Sequence, residues 1–216
     1  MVKENYTPHS GILASMEGVK TLVDLLQFRA ENQADDLACA FLTKGEELTH
    51  QMTYRELDAS ARAIAAKLQS IAPKGERAMM LYPSGLEFVA AFWGCLYAGI
   101  IPVPVYPPQM GKQIDRVISV AKDSQASLFL TCESVKSSLD RSTPELVSQN
   151  PKAWVVTDQV ESTWADKWND ADISPDEIAF LQYTSGSNGQ PKGVCVSHAN
   201  LIYNEEMICR GFGHDR

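Results

Sequence analysis

Apolar and polar positions along this chain switch between a period of two and a period near 3.6, and the switches divide it into short strands and amphipathic helices. Leu37–Thr43 and Leu48–Thr53 read as strands around a turn at Lys44-Gly45-Glu46. Ala78–Tyr82, Ile100–Tyr106, Ser127–Thr131, Ala153–Thr157, Ile178–Tyr183 and Lys192–Ser197 read as further strands. Many are continuous apolar runs, the pattern of strands covered on both faces. Between them, Leu57, Ala61, Ile64, Ala65 and Leu68 share one helical face, as do Ile114, Val117, Ile118 and Ala121. Thr21-Leu-Val-Asp24, Thr53-Tyr-Arg-Glu56 and Ser84-Gly-Leu-Glu87 have capping-box spacing; the first predicts a helix to about Asn32, the last a helix ending near Gly99. Thr143-Pro144-Glu145 opens a short helix, and Ser197 caps a final one over His198–Cys209. The acidic, Trp-bearing stretch Asp158–Asp176 follows neither period and reads as a surface connection. Strands alternating with amphipathic helices predict an α/β fold, a mostly parallel sheet flanked by helices.

Phe88–Tyr106 carries no charge and is close to the length of a bilayer span. Gly94, Gly99, Pro102 and Pro104 argue against spanning, so a helix followed by a buried strand is expected and no membrane span. Composition leaves the soluble α/β picture intact: of 216 residues, 44 % are hydrophobic and 21 % charged. The net charge of −8 argues against nucleic acid as the main partner, because a phosphate backbone needs a basic surface. The five cysteines are widely spaced, with no C-x-x-C pair to suggest zinc or a disulfide framework. Four lie in apolar segments and read as small core residues, and a reducing cytoplasm fits them. The N-terminus, MVKENYTPHSG, lacks the apolar stretch of a secretion signal.

One stretch carries candidate chemistry. Leu181–Val196 reads LQYTSGSNGQPKGVCV, with glycines, hydroxyls, an amide and a lysine packed between two apolar segments. Glycines let backbone N–H groups approach a phosphate closely. Thr184, Ser185, Ser187 and Asn188 add side-chain donors, and Lys192 adds a charge, worth about 1.5–3 kcal/mol per charged hydrogen bond. The pattern is not a Walker A loop, because Pro191 stands where the second glycine belongs. A polar hairpin turn is the competing reading, since Asn188-Gly189 is a turn signal in its own right. His198 reads as a structural residue of a helix's first turn. Trp154, Trp164 and Trp168 are too scattered for a base-stacking platform and are expected to pack.

Tyr183-Thr-Ser-Gly-Ser-Asn-Gly-Gln-Pro-Lys-Gly-Val194 closely resembles the phosphate-loop signature of the adenylate-forming superfamily, [YF]-T-S-G-[ST]-T-G-x-P-K-G-V. Met52-Thr-Tyr-Arg-Glu-Leu57 and Leu81–Gly99 resemble two further segments of that family, and Val103-Pro-Val-Tyr-Pro-Pro108 resembles its fatty-acyl-AMP ligase branch. The resemblance runs from about Thr21 to Met207 in matching order. It implies the N-terminal subdomain of the large domain of such an enzyme, with 1–20 an N-terminal extension and 21–216 an incomplete AMP-dependent synthetase/ligase domain. It also implies that Thr184, Ser185, Gly186, Ser187, Asn188, Gly189 and Lys192 bind ATP. The first of these would cradle its β- and γ-phosphates, and Lys192 would neutralise the departing pyrophosphate. Asn188 replaces the family's usual second threonine, giving an amide donor in place of a hydroxyl.

The implied parent reaction joins a fatty acid to AMP from ATP with magnesium, then passes the acyl group to an acyl carrier protein. The family's acyl tunnel, hinge and catalytic lysine lie beyond its phosphate loop, so no catalytic or metal-ligating residue is assigned here. The isolated chain is therefore expected to be inactive and, with surfaces left uncovered, prone to self-association. The alternatives are a piece of an acyl-CoA synthetase and a stand-alone nucleotide-binding or interaction module.

Overall fold

In a computed structural model, which describes residues 18–43, 45, 47–108, 114–143, 146, 152–185 and 191–212, the core is a four-stranded, all-parallel sheet between two layers of helices. The described chain begins with α1 (Leu22–Asn32), the antiparallel hairpin β1 (Leu37–Thr43) and β2 (Glu47–Thr53), and the long helix α2 (Tyr54–Gln69). The sheet region follows: β3 (Arg77–Leu81), α3 (Leu86–Ala98), β4 (Ile101–Val105), α4 (Ile114–Ser124), β5 (Leu128–Thr131), α5 (Glu133–Ser142) and β6 (Ala153–Val156). Two 3-10 turns, Thr157–Gln159 and Ser162–Lys167, lead to a second hairpin, β7 (Ile178–Ser185) with β8 (Pro191–Ser197), and to α6 (His198–Phe212).

The strand order is β4-β3-β5-β6. The chain winds outward from β3 to β4, then crosses back beyond β3 to β5 and β6. Winding therefore reverses between β3 and β5, the switch point at which open α/β sheets form their crevice. Alternate residues of β3 serve opposite layers. Ala78 and Met80 join Leu57, Ile64, Leu68 and Leu96 in one apolar cluster, while Met79 and Leu81 join Val117, Val120 and Leu139 in the other. Burial on both faces explains the unbroken apolar run.

Local rules hold at several ends. Thr21 and Thr53 form the expected capping boxes with Asp24 and Glu56. Ser197 and Asn200 exchange reciprocal hydrogen bonds at the start of α6, each 3.1 Å. Gly99 ends α3 in the left-handed region at φ 67°, which a side chain rarely tolerates. Phe88–Tyr106 accordingly divides into α3 and β4, and no helix among the described residues is long and apolar enough to cross a membrane.

Other readings need correction. Ser84 does not cap α3: the helix starts at Leu86 with Gly85 at the cap and no side-chain cap bond, so the Ser84–Glu87 spacing falls out of register. Helix α5 went unpredicted, because Val135 and Leu139 are its only packed apolar residues. Pro144 and Glu145, the expected start of a short helix, lie outside the described residues. Of the cysteines, Cys95 and Cys132 are buried, Cys39 and Cys209 half-buried and Cys195 exposed; all five are free thiols.

The stretch 158–176 is a surface connection, as read, and it packs as a strap along α2 and α3. The indole N–H of Trp168 donates to the Tyr97 carbonyl at 3.0 Å, and the two rings lie 5.2 Å apart. The guanidinium of Arg62 sits 4.4 Å from the Trp168 ring centroid while donating to Asp58, which also accepts from the Tyr97 hydroxyl. Lys74 adds hydrogen bonds to the carbonyls of Ala171 and Asp172 and an ion pair to Glu177. Trp154 meets Phe129 edge-to-face at 5.0 Å, so Trp154 and Trp168 both pack, as expected.

Candidate functional site

The candidate loop is carried by the β7–β8 hairpin. Its register pairs Gln182 with Val194, Tyr183 with Gly193, Thr184 with Lys192 and Ser185 with Pro191. The paired strands flank five residues, 186–190. Gly186, Ser187, Asn188 and Gly189 lie outside the described residues, so the structure places three of the seven predicted positions: Thr184, Ser185 and Lys192.

Thr184 and Lys192 stand directly opposite each other and are exposed. Facing partners on an antiparallel pair project from the same side. A hydroxyl and an ammonium thus share one solvent-facing edge at the base of the loop. The Lys192 ammonium makes no ion pair or hydrogen bond with another described residue.

The previous rung points the other way. Tyr183 is buried with Met79, Leu81, Val103, Val117 and Val120, and its hydroxyl donates to Asp123 Oδ2 at 2.5 Å. Burial, reinforced by the Asp123 carboxylate, pushes its pKa well up, so it stays a neutral donor. A cavity of about 260 Å³ opens beside it, bordered by Pro104, Tyr106, Arg116 and Val117. The hairpin therefore meets the C-terminal end of β4, the outer strand beside β3. Nothing in the sequence flagged Asp123, which sits far from Tyr183 along the chain and meets it only through folding.

His198 is buried, and its Nδ1 accepts the Leu22 backbone N–H at 3.2 Å, tying the start of α6 to the start of α1. That is the structural role expected of it. A groove of about 610 Å³ lies apart from the hairpin, between β2, α2, α3 and the strap, with Met52, Ile64, Glu87 and Asp158 among its walls. Among the described residues no group of three or more His, Cys, Asp or Glu could hold a metal ion.

A family description, that of the AMP-binding enzymes, matches residues 26–216. The chain belongs to the AMP-binding enzyme family. Within this AMP-binding family, it is 43 % identical over 198 residues to the medium-chain-fatty-acid–[acyl-carrier-protein] ligase JamA of Moorena producens, covering 90 % of this chain and 33 % of JamA. It is 33 % identical over 199 residues to the long-chain-fatty-acid–AMP ligase FadD26 of Mycobacterium tuberculosis, covering 91 % of this chain and 34 % of FadD26. Among solved structures it is similar to the fatty acyl-adenylate ligase of L. pneumophila in complex with acyl adenylate and pyrophosphate, at TM-score 0.81 and 37 % identity over 92 % of this chain and 34 % of that one. The chain spans about a third of the length of the curated relatives it matches. These likenesses bear out the α/β fold and the adenylate-forming resemblance read from Tyr183–Val194.

Proposed function

We propose that this chain is the N-terminal portion of a fatty-acyl-AMP ligase and that the loop of its β7–β8 hairpin binds the β- and γ-phosphates of ATP. The observation that carries the reading is the exposed Lys192 ammonium, held opposite Thr184 at the foot of a glycine- and hydroxyl-rich loop. Support comes from the similar ligase solved with acyl adenylate and pyrophosphate.

In the parent reaction the fatty-acid carboxylate attacks the α-phosphorus. An acyl–phosphate bond forms, the α–β anhydride bond breaks, and pyrophosphate leaves with the electron pair. Negative charge grows on the pyrophosphate as that bond lengthens. A lysine and backbone N–H groups held close to those oxygens would stabilise this state without reorganising, which is how fixed donors accelerate a reaction. Thr184, Ser185 and Ser187 would supply hydroxyl donors, Asn188 an amide, and Gly186 and Gly189 close backbone approach. Hydroxyl, amide and ammonium donors suit phosphate better than a bare cation, so magnesium would arrive on the phosphates and screen their charge. The acyl group would then pass to the phosphopantetheine thiol of an acyl carrier protein, a partner suggested by the name of JamA. Residues 1–20 would form an extension before the ligase domain, and free thiols suit a reducing cytoplasm.

The test is fatty-acid-dependent exchange of pyrophosphate into ATP by the parent protein, followed by acyl transfer. Exchange should require Lys192, falling about 10²–10³-fold in Lys192→Ala, the scale seen when one transition-state donor is removed. Carrier protein should accept the acyl group in preference to coenzyme A. Exchange that survives Lys192→Ala, or transfer to coenzyme A alone, would overturn the reading.

A further inference from the structure

Tyr183 is buried two residues before the end of β7, and its surroundings fix it on two sides. Its hydroxyl reaches α4 through Asp123, and its ring fills the place where a side chain on Gly193, its cross-strand partner, would stand. A Cβ built on Gly193 would fall 2.9 Å from Cζ, 3.1 Å from the hydroxyl oxygen and 3.2 Å from Cε2 of Tyr183. The first of these is closer than packed carbon atoms approach. Gly193 is not among the left-handed glycines, so it is needed for the ring's space and not for its backbone angles.

The hairpin needs such an anchor. Among the described residues β7 and β8 hydrogen-bond as strands only with each other, and since a two-stranded ribbon on its own is marginally stable, its place depends on its packing against β4 and α4. Just two rungs, Thr184 with Lys192 and Ser185 with Pro191, separate the Tyr183–Gly193 rung from the loop. A rotation at that rung therefore re-aims Thr184 and Lys192 together.

We propose that Asp123, Tyr183 and Gly193 form a clamp that sets the orientation of the hairpin end carrying Thr184 and Lys192, with Asp123 and Tyr183 as positioning residues for phosphate binding. The proposal rests on the phosphate-loop reading for its ligand but not for its geometry. Asp123→Ala removes the acceptor, Tyr183→Phe removes the donor, Gly193→Ala displaces the ring, and Asp123→Asn retains an oxygen that accepts the hydroxyl.

Two readouts test the clamp on the whole chain: calorimetric ATP affinity, and hydrogen exchange of the peptide spanning 181–195 without nucleotide. Asp123→Ala and Tyr183→Phe should each weaken ATP binding by about tenfold, the effect of one lost charged hydrogen bond. Both should raise exchange in that peptide while exchange in β3 and β5 stays at the wild-type level. Asp123→Asn should restore affinity to within about threefold of wild type. Unchanged affinity and exchange in both variants overturns the clamp, and so does faster exchange spread across the parallel sheet. If the wild-type chain fails to bind ATP, exchange alone decides. A rise confined to the hairpin then upholds the clamp while the phosphate reading falls, and an unchanged hairpin overturns both.

Discussion

Lys192 and His198 stand on β8 and at the start of the helix that follows it, and burial gives these two basic residues different work. Lys192 projects into solvent beside the loop, whereas His198 is buried with its Nδ1 accepting the Leu22 N–H. Burial holds the His198 pKa below its usual range, although Glu177 pulls the other way. The fold thus favours neutral imidazole, while the unfolded chain takes up a proton near pH 6.5. The stability this contributes is complete above the unfolded value and is lost as pH falls through the folded one. Urea midpoints should therefore drop between about pH 7 and pH 5, and His198→Asn, which keeps an acceptor but cannot titrate, should flatten that slope. An unchanged slope in the variant would remove His198 as the cause. Glu76, whose pKa is lowered by its Lys152 partner, loses its contribution in a more acid window, around and below its unfolded value near pH 4.5. At this scale the sequence made Lys192 legible, because a motif surrounds it. It left Asp123 hidden, because a lone carboxylate on a helix has no signature until the fold brings Tyr183 to it.

Helices α2 and α3 meet at a point where only glycine fits. A Cβ on Gly94 would lie 2.5 Å from Ile64 Cγ2 and 2.7 Å from Ile64 Cβ, and that Cβ lies next to the helix backbone with no room to retreat. Gly94→Ala should therefore separate the helices and lower stability by about 1–3 kcal/mol, the usual cost of overpacking, as a fall in urea midpoint. An unchanged midpoint would mean that the two helices slide freely. Elements with a clean period were read well: α1 and β1 match their expected limits, and α2 and α4 have the expected faces. The packing of the strap left no mark in the sequence for a physical reason. Its stability comes from an indole on Tyr97, a stacked arginine and side-chain bonds to carbonyls, and none of these imposes a period on the sequence. Helix α5 escaped because a single apolar pair one turn apart is too little pattern.

Across the whole molecule, large apolar side chains among the described residues remain exposed at several places, including Tyr106 and the β7–β8 residues Ile178 and Val194. On α6, Tyr203 and Met207 lie one turn apart, with Ile208 beside them, and Leu37, Leu42 and Leu48 are exposed on the β1–β2 hairpin. Patches of this kind on a small chain favour association. Sedimentation velocity should show the monomer fraction falling as concentration rises, and Met207→Glu should restore it. A clean monomer at high concentration would contradict self-association. The parallel sheet was legible because its strands are buried on both faces and read as unbroken apolar runs. The two antiparallel hairpins were legible as pairs of strands around a turn, with limits within two residues of those observed. The central claim, that the β7–β8 loop binds phosphate through Lys192, is tested most directly by calorimetric titration of ATP into the 216-residue chain and its Lys192→Ala variant. Saturable binding to the first and none to the second is the predicted result. Equal binding to both, or none to either, would contradict it.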